Sequence, residues 1–250
     1  MPAFYPDRLI QSLRDRARPE KVHTVVLWTK DPLRMLRNRK LTDCLKEYDQ
    51  LFFLISITGM GGTVLEPGIP PAEHTVKALP DIIELAGSPR RVRVRFDPIV
   101  HLVMQSGRHF SNIDQFAYVA DHCRKNSIGH MILSWLQVYP KVRNRLENRG
   151  IEPLSVSQGQ IVEQAAALEG LAAGMNIQLQ FCATEPLHRS RCIDGGLLSE
   201  LHPRGEPADS TRAGGQRDLC GCTRSWDIGW YFRCPGGCLY CYANPAAGNR

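Results

Sequence analysis

Arg91-Val92-Arg93-Val94-Arg95-Phe96-Asp97-Pro98 is the stretch that decides the fold. Charged and apolar side chains alternate along it, the period of a strand with one face on a core and the other face polar. Val92, Val94 and Phe96 share the apolar face, and Arg93, Arg95 and Asp97 share the other. Working outward, four more apolar, β-branched runs read as strands: Val22 to Trp28, Leu51 to Thr58, Ile128 to Ser134 and Ile177 to Cys182. Helical patterns lie between them. They run over Thr42 to Tyr48, Ala72 to Ala86 with a break at Pro80, Asn112 to Lys125 after Ser111, and Val156 to Ala173 after Ser155, both serines being good N-caps. Strands alternating with helices predict an α/β fold whose parallel sheet is joined by right-handed crossovers, an open or closed (β/α) barrel.

A parallel strand buried on both faces should be apolar almost throughout, yet four of these alternate. Ser56 and Thr58 fall on one side of their strand. So do Arg93, Arg95 and Asp97, then His130 and Ser134, then Gln178, Gln180 and Cys182. The opposite sides (Phe53, Ile55, Ile57; Val92, Val94, Phe96; Met131, Leu133; Ile177, Leu179, Phe181) suit helix packing. A barrel lumen collects all four polar sets most simply. Arginines and glutamines buried there without partners would cost several kcal/mol each, so the lumen should hold water, a ligand or paired networks. In barrels of parallel strands the active site lies at the carboxyl ends of the strands. Trp28-Thr29-Lys30-Asp31-Pro32, Thr58-Gly59-Met60-Gly61-Gly62, Arg95-Phe96-Asp97-Pro98 and Ser134-Trp135 all finish an apolar run with polar residues. Lys30, Thr58, Arg95, Asp97 and Cys182 are therefore the first candidates to touch a ligand. A cationic Lys30 or Arg95 suits a ligand carboxylate, and Asp97 suits sugar hydroxyls or the locking of Arg95.

The chain has 250 residues, 43% of them hydrophobic, enough for one large core, and no apolar run nears the roughly 20 residues that span a bilayer. Its net charge of +6 is scattered apart from a denser basic run at Arg34 to Lys40. That balance is compatible with an anionic substrate or nucleic acid but selects neither. The first residues, Met-Pro-Ala-Phe-Tyr-Pro-Asp, carry neither the basic n-region nor the apolar h-region of a signal peptide, so a reduced, cytoplasmic compartment is expected.

Cysteine usage then points to metal rather than disulfides. Of nine cysteines, seven (Cys182, Cys192, Cys220, Cys222, Cys234, Cys238, Cys241) come late in the chain, while Cys44 and Cys123 sit on helical segments and read as core packing. Cys234, Cys238 and Cys241 stand in Arg-Cys-Pro-Gly-Gly-Cys-Leu-Tyr-Cys-Tyr, a C-x3-C-x2-C spacing. Pro-Gly-Gly lets the backbone turn sharply, so the thiols can face one centre while amide N–H groups point at the sulfurs. Three thiolates hold three irons of a cubane [4Fe-4S] cluster and leave the fourth open, whereas four would close it. A structural zinc knuckle is the rival, although zinc favours paired two-plus-two spacing. Subtracting the trio leaves Cys182, Cys192, Cys220 and Cys222, the number needed for an auxiliary site, either a second iron-sulfur cluster or zinc.

The C-x3-C-x2-C loop resembles the signature of radical S-adenosylmethionine (SAM) enzymes. That resemblance implies SAM bound through its amino and carboxylate groups at the open iron, with Tyr240 near the adenine. It also implies reductive cleavage to methionine and a 5'-deoxyadenosyl radical that abstracts hydrogen from a substrate, and an electron donor such as flavodoxin or ferredoxin. More closely, Pro2-Ala3-Phe4-Tyr5, Trp28 to Pro32, Leu65-Glu66-Pro67, Arg95 to Ile99, Cys192-Ile193-Asp194 and Cys220 to Ala243 resemble a bacterial family catalogued as domain of unknown function 1848. That family is similar to radical SAM proteins of the spore photoproduct lyase type but carries its cluster loop at the C-terminus. The implied fold is a (β/α) partial TIM-like barrel of radical SAM type, with residues 1–201 as barrel core, 202–218 as a flexible Pro/Gly/Ser/Asp/Arg-rich insert and 219–250 as a cysteine-rich segment completing the barrel. Ser225 to Phe232 would supply the strand beside the N-terminal edge. Relatives carry a further strand ending in a Ser-Arg-Arg-Thr-Asp-like motif before the Pro-Ala-Phe-Tyr segment, so one wall strand is expected to be missing here. The alternative from another class is a non-catalytic iron-sulfur or zinc module that binds nucleic acid; no membrane role is expected.

Overall fold

A computed structural model of the chain describes residues 2–187, 190–214, 218–228 and 234–243. Helix α1 (Pro6–Arg16) leads into strand β1 (Val25–Thr29), followed by α2 (Pro32–Leu36), α3 (Arg39–Leu45) and β2 (Leu51–Ser56). Next come α4 (Ala72–Thr75), α5 (Leu79–Ala86) and β3 (Val92–Ile99), then the short strands β4 (His101–Val103) and β5 (His109–Ser111), α6 (Phe116–Lys125) and β6 (His130–Trp135). The remainder is α7 (Pro140–Glu147), β7 (Glu152–Pro153), α8 (Gln158–Ala173), β8 (Gln178–Phe181) and α9 (Gly195–Glu200).

The fold is α/β. Strands β1, β2, β3, β6 and β8 form one sheet in that order, every pair parallel, so the long strands lie side by side in chain order. The five expected strands are these five. A small antiparallel sheet, β5-β4-β7, arises after β3 and was not foreseen, because three- and two-residue strands leave no legible period. Helix ends moved for local reasons. Pro80 occupies the first turn of α5, where its missing N–H costs nothing, and a 3-10 turn at Val76–Ala78 makes the break just before it. Ser157, not Ser155, caps α8: its hydroxyl accepts from Gln160 N, and Gln160 Oε1 accepts from Ser157 N at 2.9 Å, a complete capping box. Ser111 Oγ accepts from Ile113 N and opens a 3-10 turn, so α6 itself begins at Phe116.

Strand register places the two faces. Ser56 pairs with Arg95, Arg95 with Ile132 and Ile132 with Gln180, so the polar sets do share one side of the sheet. On the other side Phe53, Ile55, Val94, Phe96, Met131, Leu133 and Phe181 are buried against the helices in the main core, where Phe96 meets Phe116 edge to face at 5.7 Å. Cys44 and Cys123 are buried in this core, as their helical positions predicted.

The polar side is not one continuous chamber. Its lower half carries Phe52, Leu54 and Ile132, and the chain after β8 folds over them, burying Cys192 and Leu198 in a second apolar cluster. Gln50 Nε2 donates to Leu198 O at 2.9 Å and fixes α9 there. The upper half, at the carboxyl ends, opens as a cavity. Residues 204–208 make three contacts with the core domain: His23 Nε2 bonds Glu206 O at 2.8 Å, Arg204 pairs with Asp49 at 2.5 Å, and Ala208 N donates to Ser199 Oγ at 2.8 Å. Of the expected wall strand Ser225 to Phe232, residues 225–228 carry no regular element and the rest lies outside the described residues. Among the described residues no helix is long and apolar enough to cross a membrane.

Candidate functional site

A cavity of about 310 Å³ opens at the carboxyl ends of the parallel strands. Lys30 enters it one residue past β1, Ser56 ends β2, Arg95 and Asp97 come from β3, Ser134 from β6, and Cys182 follows β8. The facing wall is the cysteine loop, through Cys234, Cys238, Tyr240 and Cys241. Parallel pairing puts every strand's exit at one rim, which is why residues far apart in sequence meet here. Trp28 and Trp135 add apolar wall. Thr58 and the Gly59 to Gly62 run do not line the cavity; Thr58 is buried and turns toward Glu66.

Glu66 is the residue that sequence reasoning missed as a functional group. It is 1% exposed, and its Oε1 accepts from Lys30 Nζ at 2.7 Å, from Thr58 Oγ1 at 2.8 Å and from the Tyr240 hydroxyl. Lys30 Nζ also donates to Tyr240 OH at 2.8 Å and lies 5.4 Å from the centre of its ring. Burial disfavours the Lys30 ammonium, but Glu66, with Cys238 close by, outweighs it and holds the lysine pKa above its ordinary value. Two of the three Lys30 N–H donors are thus committed inside the protein.

Arg95 is committed as well. It pairs with Asp97, whose other oxygen accepts from Ser134 Oγ. Burial opposes its charge and Asp97 restores it, with the net direction upward. The locking of Arg95 by Asp97 is therefore realised, and the carboxylate-binding role expected of Arg95 requires Asp97 to share it. The polar floor of the cavity is this Arg95–Asp97–Ser134 chain.

The cysteine loop is clasped by the segment that carries Glu66. Leu239 N donates to Leu65 O and Gly68 N to Gly236 O, each at 3.0 Å. A Cβ on Gly68 would stand 2.3 Å from Pro235 O, so the two backbones approach as only glycine allows. Gly68→Ala is accordingly expected to push the loop off its seat and lower the melting temperature; an unchanged melting curve would contradict the clasp.

Within the loop, Gly236 N–H donates to the Cys234 sulfur, and burial pushes the Cys238 thiol up to about 12, with the Lys30 cation pulling the other way. Among the described residues no group of three or more His, Cys, Asp or Glu is arranged to hold a metal ion. Cys234, Cys238 and Cys241 line one wall of the cavity. Of the four remaining cysteines, Cys192 is buried with Cys182 and Cys222 packed against the same apolar cluster, while Cys220 lines a pocket beside Arg191 and Arg212.

The family model described as Domain of unknown function (DUF1848) matches residues 6–243. No curated protein matches the chain. Among solved structures, Streptococcus suis SuiB bound to S-adenosylmethionine is similar to it with a TM-score of 0.41 and 10% identity, over 74% of this chain and 46% of that one. The chain thus spans less than half the length of that protein.

Proposed function

We propose a function for a chain that belongs to the DUF1848 family: a radical SAM-like iron-sulfur enzyme that cleaves SAM reductively and uses the resulting radical to take hydrogen from a substrate. One observation carries the reading. Cys234, Cys238 and Cys241 line the same cavity as Lys30, Arg95, Asp97 and Ser134, at the rim where parallel strands end. A [4Fe-4S] cluster held by the three thiolates would supply the electron that splits SAM into methionine and a 5'-deoxyadenosyl radical.

The chain's own residues do the rest. Glu66, Lys30 and Tyr240 fix the loop so that its thiols face the cavity, and the Gly236 amide stabilises negative charge on Cys234. Asp97, already oriented by Arg95 and Ser134, is the acceptor for ligand hydroxyls on the floor. Trp28 and Trp135 on the wall provide apolar surface that excludes water from a radical. The parallel strands in chain order support the reading of a (β/α) partial barrel, and a flavodoxin- or ferredoxin-like donor would supply the electron.

The test is spectroscopic. The full chain, reconstituted anaerobically and reduced with dithionite, should give an S = 1/2 electron paramagnetic resonance signal whose g-values shift when SAM is added. A cluster signal indifferent to SAM would overturn the reading.

A further inference from the structure

Cys182, Cys192 and Cys222 form a group of thiols on the polar side of the sheet that the proposed SAM chemistry leaves unused. Cys182 follows β8, Cys192 precedes α9, and Cys222 comes from a third segment. Backbone bonds stitch the three segments together: Ser190 N donates to Phe181 O at 2.8 Å and Thr223 N to Ile193 O at 2.9 Å. At Gly221 a Cβ would stand 2.9 Å from Ser190 O, so glycine lets the Cys220-Gly221-Cys222 turn come this close. The Cys192 sulfur is consequently within hydrogen-bonding reach of both Cys182 and Cys222. Sulfurs held that near need only a small side-chain rotation to bond to one another.

The three thiols differ in access. Cys192 is 5% exposed, whereas Cys182 lines the cavity and Cys222 is half-buried on its turn. A dissolved disulfide can therefore meet Cys222 or Cys182 but not Cys192. Charge favours a thiolate at the buried position. Arg93, 3% exposed, bonds the neutral acceptors Arg191 O at 2.7 Å and Gln180 Oε1 at 3.3 Å, and its Nε has no partner among the described residues. Arg95 takes the Asp97 carboxylate. Buried charges are ordinarily paired, and Cys192 stands near both guanidiniums. Hydrogen bonds from Cys182 and Cys222, helped by Arg95, outweigh burial and hold the Cys192 thiol well below its ordinary pKa.

We propose that Cys222, Cys192 and Cys182 form a thiol–disulfide exchange relay that carries a disulfide from the protein surface to the cavity wall, with a small organic disulfide as its oxidant. The Cys222 thiolate attacks one sulfur of that disulfide, bonds to it and expels one organic thiolate. Cys192 then attacks the Cys222 sulfur and expels the second, and the two released thiolates take up the two protons that the cysteines lose. In a last exchange the Cys182 thiolate attacks Cys192, which leaves a Cys182–Cys192 disulfide and returns Cys222 to the thiol with the proton from Cys182. The sum is one organic disulfide reduced to two thiols and one protein disulfide formed, with no other oxidant.

This exchange is independent of SAM cleavage and is tested on the full chain with hydroxyethyl disulfide. After anaerobic treatment, quenching with N-ethylmaleimide and peptide mapping by mass spectrometry, Cys192 should be linked to Cys182 or Cys222. Cys222→Ser should retain the Cys182–Cys192 link, and Cys182→Ser the Cys192–Cys222 link. Cys192→Ser should form at least about tenfold less internal disulfide among these residues and carry the hydroxyethylthio adduct at Cys222 instead. Cys192 recovered as its maleimide adduct from the treated parent chain would overturn the proposal, as would a Cys182–Cys222 link formed equally well in Cys192→Ser. Should Cys192→Ser fail to fold, the two flanking variants decide, because a free Cys192 in both of them overturns the relay.

Discussion

Cys238→Ala should abolish SAM cleavage while leaving the fold nearly intact. Cys238 is 7% exposed and packs with Met60, Leu65, Ile69, Leu239 and Tyr240 in the apolar cluster behind the cavity. Removing one sulfur from that packing costs about 1 kcal/mol, a small fraction of a domain's stability. Its chemical effect is far larger, because two thiolates cannot hold a cluster that needs three. The loss of 5'-deoxyadenosine formation should reach at least about 1000-fold, equivalent to about 4 kcal/mol in the barrier. Chromatographic assay of 5'-deoxyadenosine beside a melting curve separates the two effects. A variant that melts normally and still cleaves SAM at the parental rate would remove Cys238 from the site.

Glu66→Gln should have the largest effect on stability of any single polar change near the cavity. One carboxylate oxygen accepts from Lys30, Thr58 and Tyr240, and the side chain is 2% exposed, so its charge is held by these partners and not by water. Breaking a buried ion pair from one side costs about 3–5 kcal/mol, because the other charge is left uncompensated. Lys30 is 21% exposed, and water recovers part of that, which places the cost at about 2–3 kcal/mol. In a chain of this size the melting temperature should fall by roughly 4–12 °C. The double variant Glu66→Gln/Lys30→Met should recover part of the loss, since it removes the orphaned ammonium and keeps its apolar stem. Glu66→Gln melting like the parent would show that the three-donor convergence carries no stability.

The strands were legible because the period of two is written directly in residues such as Arg93 to Asp97, and a parallel sheet follows once helices alternate with strands. The same alternation placed Lys30, Arg95, Asp97 and Cys182 at one rim. What it could not show is that Phe52, Leu54 and Ile132, on the polar side, mark a dry lower half: the segment that covers them is a six-residue helix starting at Gly195-Gly196, too short to carry a period. Glu66 carries no signal of its own beyond the family resemblance, since a lone carboxylate in a loop has no spacing from which its partners could be read. Its partners, Lys30 and Tyr240, come from opposite ends of the chain, and only the folded register brings them together. That convergence also gives Lys30 a role no spacing announces, holding the cysteine loop through Glu66 and Tyr240.

The central claim is that the cysteine loop and the strand rim form one SAM-cleaving site. Its most direct test is to incubate the full, cluster-loaded chain with dithionite and SAM under anaerobic conditions and quantify both products. The account predicts methionine and 5'-deoxyadenosine in equal amounts, absent from Cys238→Ala; a chain that carries its iron and forms neither product would contradict it.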